Sequence, residues 1–152
     1  MTLNHLLLAT DGSKSAQKVE DFAFQLSGNY GAKLTIVYAL DDSLCHYGEV
    51  DTLAPLEARE SFISYVIDEQ KEVADKLAKA LLEKAAKNNN AKYELKVRQG
   101  EPLDVIAAIA KEENVDVILV GGKRLKKSRG FKILTLSDKL GSQTDQNILT
   151  IV

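Results

Sequence analysis

Short unbroken apolar runs alternate along this chain with longer stretches in which apolar residues recur every three or four positions. The first run, His5 to Thr10, holds Leu6, Leu7 and Leu8 together. Consecutive leucines leave no polar side, as in a strand covered on both faces. Ala16, Val19, Ala23 and Leu26 then follow at helical spacing, with Phe22 on the same face. Ser13 is the predicted cap of this helix, Asp11 the alternative, and Gly28 its predicted stop. Leu34 to Ala39, with Ile36 and Val37 at its centre, is a second strand. Asp41 to Ala54 has no period and reads as a long loop.

Pro55 suits the first turn of a helix. Phe62, Val66, Val73, Leu77 and Leu81 mark the apolar side of a long helix ended by Asn88, Asn89 and Asn90. Tyr93, Leu95 and Val97 alternate with polar residues, the pattern of a half-covered or edge strand. Gly100-Glu101-Pro102 opens a third helix whose buried face is Val105, Ile106, Ile109 and Ala110. Val115 to Val120 is a fourth strand, Leu134 to Leu140 a short helix, and Ile148 to Val152 a fifth strand. Strands alternating with helices require right-handed crossovers and a parallel sheet. At 152 residues the chain is expected to be one domain, residues 1–152.

Charge changes the picture locally. The net charge is −2, yet Lys123, Arg124, Lys126, Lys127, Arg129 and Lys132 stand together without an acid among them. Such a run reads as a solvated loop or as an anion grip made by side chains. RNA binding by it lacks interleaved aromatics apart from Phe131. The overall balance gives nucleic acid no general attraction.

The chemistry expected of many enzymes is missing. There is no G-x-x-x-x-G-K-[ST], no G-x-G-x-x-G after the first strand, and no G-x-S-x-G elbow. His5 opens a strand, and Cys45 and His46 read as exposed loop residues. Glu112 and Glu113 read as a solvated helix end, since adjacent carboxylates point to different sides. The sequence therefore predicts neither a metal site nor catalytic residues. One cysteine fits a reducing cytoplasm, and neither a signal peptide nor a membrane span is expected.

Two strand ends carry the candidate site. Leu8-Ala9-Thr10-Asp11-Gly12-Ser13 ends the first strand, and Val117-Ile118-Leu119-Val120-Gly121-Gly122 ends the fourth. In parallel sheets ligands settle where the carboxyl ends of such strands diverge. Asp11 and Gly121 are therefore expected side by side on the rim of one hollow.

These segments, with Gly100-Glu101-Pro102 and the terminal Ile148-Leu149-Thr150-Ile151-Val152, make the chain resemble the universal stress protein family over nearly its whole length. The resemblance implies an α/β fold with a five-stranded parallel sheet of order 3-2-1-4-5, helices on both faces, of the adenine nucleotide alpha hydrolase-like kind. It implies homodimers paired through the last strand, whose apolar edge would otherwise be unprotected. Members that bind ATP carry G-x-x-G, nine residues, then G-[ST] after the fourth strand. Anchored on Gly121, this chain has Arg124 at the second glycine, Leu134 at the third, and Thr135 as the hydroxyl. The phosphate motif is thus degenerate.

The site implied by the resemblance comprises Ala9, Thr10 and Asp11, the end of the second strand at Ala39, Val120 and Gly121, then Arg124, Thr135, Leu136 and Ser137. Asp11 would accept hydrogen bonds from ribose or adenine, and backbone at Ala39 would meet adenine. The expected role is regulatory binding of ATP or another adenine nucleotide, with at most incidental hydrolysis. The alternative is a dimeric interaction module that works without nucleotide.

Overall fold

The computed structural model describes residues 2–42, 56–122 and 136–152. Five strands form one parallel sheet: β1 (His5–Ala9), β2 (Lys33–Leu40), β3 (Tyr93–Gln99), β4 (Val117–Gly121) and β5 (Asn147–Ile151). Their order is β3-β2-β1-β4-β5, the order that the family resemblance implies. Four helices join them: α1 (Gln17–Tyr30), α2 (Leu56–Lys87), α3 (Pro102–Glu112) and α4 (Leu136–Gln143). A short 3-10 turn, Lys14–Ala16, leads into α1.

β1 lies at the centre because it is apolar on both sides. Leu6 and Leu8 join the core beneath α1 and α2, with Leu34, Ile36 and Leu119. Leu7 and Ala9 face the other way, beneath α3 and α4, with Val37, Ile118 and Val120. The register sets Ala9 opposite both Val37 and Val120. β3 is an edge strand of half-buried and exposed residues in the main, as its alternation implies. β5 is the other edge, running Asn147–Ile151 where the sequence predicts Ile148 to Val152; its Leu149, and Val152 just past its end, face water.

Helix phase departs from the sequence reading in two places. On α1 the fully buried aromatic is Phe24, not Phe22, and Leu26 is only half-buried. Phe24 packs edge-on against Tyr93, with ring centroids 5.5 Å apart. On α2 the buried stripe is Ile67, Ala74, Leu77, Leu81 and Ala85, whereas Phe62 is 51% exposed and Val73 also reaches water. α3 buries the four residues expected of it.

Termini move for local reasons. α1 runs through Gly28 and stops at Gly31, whose φ of +63° is the left-handed conformation glycine adopts without cost. Ser13 stands at the predicted cap position but makes no capping bond. Its hydroxyl meets that of Ser15 at 3.0 Å, and its amide donates to Asp11 Oδ1 at 2.9 Å. β4 begins at Val117 because Asp116 turns its carboxylate onto the amides of Asn4 and His5. The predicted loop from Asp41 to Ala54 lies outside the described residues beyond Asp42, as do Pro55, Cys45, His46, Leu134 and the basic stretch 123–132.

The amino end of the sheet holds a polar network. Glu113 is not a solvated helix end: it accepts the Thr35 hydroxyl at 2.7 Å and pairs with Lys96 at 2.7 Å. His5 Nε2 meets Thr35 Oγ1 at 2.8 Å and lies 3.4 Å from Glu113. Glu112 turns outward to Arg98.

Candidate functional site

After β1 the chain crosses towards β2, and after β4 it crosses towards β5. The two connections diverge and leave a crevice at the carboxyl ends. A cavity of about 210 Å³ lies there. Its floor is Ala9, Val37, Ala39 and Val120, residues on one face of three neighbouring strands. Pro102 and Ile106 of α3 and Leu136 of α4 wall one side. Thr10, Asp11, Ser15 and Ala16 form the rim after β1, and Gly121 and Gly122 the rim after β4.

Asp11 and Gly121 therefore do face one hollow. Of the residues the sequence singles out, Ala9, Thr10, Asp11, Ala39, Val120, Gly121 and Leu136 are brought together here. Ser137 is not among the lining residues; its hydroxyl is held by Thr150 Oγ1 of β5 at 2.6 Å. Arg124 and Thr135 lie outside the described residues.

The two rim glycines differ. A Cβ on Gly122 would stand 2.4 Å from Thr150 Cγ2, so that glycine is required by packing against β5. A Cβ on Gly121 would meet only Val19 Cγ1, at an ordinary 3.6 Å. Among the described residues no neighbour demands glycine at 121, and its bare backbone faces the cavity. Gly12 needs both its φ of +72° and its missing side chain, because Val73 Cγ1 would lie 3.0 Å from a Cβ there.

Among the described residues the lining is mostly small and apolar, with one charged side chain, Asp11. Asp11 Oδ1 accepts the Ser13 amide, and Oδ2 accepts no bond from the described residues. Tyr38 stands nearby; burial, and then the charge of Asp11, push its phenol above the ordinary range, so it stays neutral. An apolar slot with one carboxylate at its mouth suits a flat ring bearing hydroxyl or amino donors. Among the described residues no group of acids, histidines or cysteines is arranged to hold a metal.

Thr10 is tied down from behind. Its hydroxyl donates to Glu20 Oε2 at 2.7 Å and accepts the Gly12 amide at 3.2 Å. Glu20 Oε1 is paired at 3.2 Å with Lys84 of α2. Sequence reasoning missed Glu20, although a signal was present. It lies four residues after Ala16 and four before Phe24, on the stripe that α1 buries. The apolar Val37 was equally readable, two positions before Ala39 on the same strand face.

The sequence model of the universal stress protein family matches residues 2–151. Universal stress protein YxiE of Bacillus subtilis is 26% identical over 148 residues, 97% of this chain and 98% of that protein. UspA of Lactobacillus plantarum superposes with a TM-score of 0.80 at 18% identity, over 100% of this chain and 99% of that one. A universal stress protein in complex with cAMP gives 0.61 at 21% identity, over 100% and 98%. The Archaeoglobus fulgidus protein in complex with dAMP gives 0.54 at 18%, over the whole of both chains. These likenesses establish the adenine nucleotide alpha hydrolase-like fold, and the sequence match establishes the rest: this chain belongs to the universal stress protein family.

Proposed function

We propose that this protein binds an adenine nucleotide in the crevice between β1 and β4 and regulates through that binding, without turning the ligand over. The observation that carries the reading is the shared cavity of Asp11 and Gly121, one offering a carboxylate oxygen and the other an uncovered backbone. The relatives in complex with cAMP and dAMP support it. The described lining of this cavity of about 210 Å³, small and apolar around one carboxylate, suits the base and ribose. Phosphate recognition would then fall to groups outside the described residues, and the sequence offers Arg124 and Thr135. ATP is the ligand the degenerate motif suggests, and the reducing cytoplasm is the compartment proposed for it.

Calorimetry with ATP and AMP tests this directly. Asp11→Ala should abolish binding of both while leaving the circular dichroism spectrum unchanged. Equal affinity in the wild type and the variant would remove the site from consideration.

A second reading, a dimeric module that needs no nucleotide, draws on β5. Leu149 on this edge strand and Val152 just past its end are exposed, and a second copy could extend the strand. Leu149→Lys should then convert a dimer to a monomer in sedimentation, with or without nucleotide. An unchanged sedimentation coefficient would count against pairing through β5.

A further inference from the structure

Glu20 is a carboxylate only 2% exposed, and burying one has a cost that its contacts must offset. Its two oxygens are both used, and by different elements. Oε2 accepts the hydroxyl of Thr10 at the end of β1. Oε1 faces Lys84 of α2, which also reaches Asp21 Oδ1 at 2.8 Å and the Gln17 carbonyl at 3.4 Å. A valine or leucine could fill the same volume without that cost. The carboxylate does something an apolar side chain could not.

That something is directional. A threonine hydroxyl has one proton and rotates freely unless a partner claims it. An ionised carboxylate only accepts, so Glu20 claims the proton and leaves the oxygen's lone pairs for the Gly12 amide, 3.2 Å away. Asp11 lies between these two bonded residues, and its own Oδ1 takes the next amide, Ser13. The rim of the cavity is therefore a chain of bonds that starts at Glu20 and ends at the Asp11 carboxylate. We propose that Glu20 is a positioning residue for this site: through the Thr10 hydroxyl it sets the turn from Thr10 to Ser13 and aims Asp11 Oδ2 at the cavity. Lys84 keeps Glu20 in place from the far side.

Only the ligand half of this proposal rests on the nucleotide reading, so two measurements are made together. Amide hydrogen exchange at Gly12 and Ser13 in the free protein reads the turn, and calorimetry with AMP reads the site. Thr10→Val removes the hydroxyl at nearly constant shape. It should speed Gly12 exchange about fivefold to tenfold and weaken AMP by a similar factor, the size of one net hydrogen bond. Thr10→Ser restores the hydroxyl and should return both values to those of the wild type. Glu20→Leu should match Thr10→Val, and the double variant should be no worse than either, because both act through one bond. The double variant also replaces the buried polar pair with apolar groups and so protects the fold.

Gly12 exchange unchanged in Glu20→Leu, or a serine that fails to rescue, would overturn the proposal. If Gly12 exchange responds as expected but the wild type binds no AMP or ATP, the positioning role stands and the nucleotide reading falls.

Discussion

The two ends of this sheet are built from the same strands and treat their polar groups in opposite ways. At the amino end His5, Thr35, Lys96, Glu113 and Asp116 bond to one another or to nearby amides. At the carboxyl end Asp11 makes, among the described residues, a single bond within its own turn, and Gly121 has no side chain to cover it. A group already satisfied inside the chain has little left to offer a ligand. Volume alone does not choose between the ends. A more open hollow of about 610 Å³ lies at the amino end, between the last turns of α1 and α2. The distribution of unspent bonds favours the smaller cavity.

The largest effect should come from breaking the closed end. Glu113→Ala strips partners from Lys96, Thr35 and His5 together. It should lower stability in urea unfolding by more than substitution of either rim glycine, since Thr35 and His5 lose a partner at once while Lys96 turns to water. A loss smaller than that of Gly122→Ala would mean the network is ornamental. Next comes Gly122→Ala, where a methyl group would meet Thr150 at 2.4 Å. Thr150 cannot simply rotate away without giving up Ser137, so about 2 kcal/mol should be lost. Its neighbour sharpens the comparison: Gly121→Ala should change stability by less than about 0.5 kcal/mol. Any loss of AMP affinity in that variant then reports on the cavity alone.

Acid offers a subtler separation of the two ends. Burial first, then the charge of Lys33, holds the His5 imidazole below its ordinary value of 6.5, despite the pull of Glu113. Burial raises Glu113, but the bonds from Lys96 and Thr35 and the charges of Lys96 and His5 outweigh it and leave it below 4.5. Amide bonds from Asn4 and His5 hold Asp116 below 3.8. In each case the unfolded chain takes up protons first as pH falls, so stability must fall with it. The decline should begin near pH 6.5 with His5 and continue below 4.5 with the two carboxylates. His5→Gln should flatten the upper part of the curve and leave the lower part. Stability that holds constant from pH 7 to 5 in the wild type would contradict this assignment.

The strands were legible in the sequence because a strand buried on both faces needs only an unbroken apolar run. Leu6 to Leu8 and Val117 to Val120 could hardly be anything else. Helix phase was harder. α2 carries apolar residues on more than one side, and only contact with the sheet selects Ile67 over Phe62. Gly28 and Gly31 are both credible stops, and the choice depends on which one turns left-handed. The candidate site divides in the same way. Asp11 and Gly121 could be read from strand ends, whereas the Thr35–Glu113 bond joins residues 78 positions apart and leaves no local pattern. Glu20 could be placed on the buried stripe of α1 by its spacing, but its role could not, because Lys84 and Thr10 are brought to it only by the fold.

α2 has one more consequence. At about 1.5 Å per residue its 32 residues extend about 48 Å, against about 26 Å for the eight residues of β2. The side chain of Gln70 grips Asp41 just past the end of β2, and Val73 lies level with Gly12. The turns before Gln70 thus run on beyond the carboxyl ends of the strands, with Phe62 and Tyr65 facing water. A broad, flat surface approaching that end of the sheet would meet these turns before it met the strand ends.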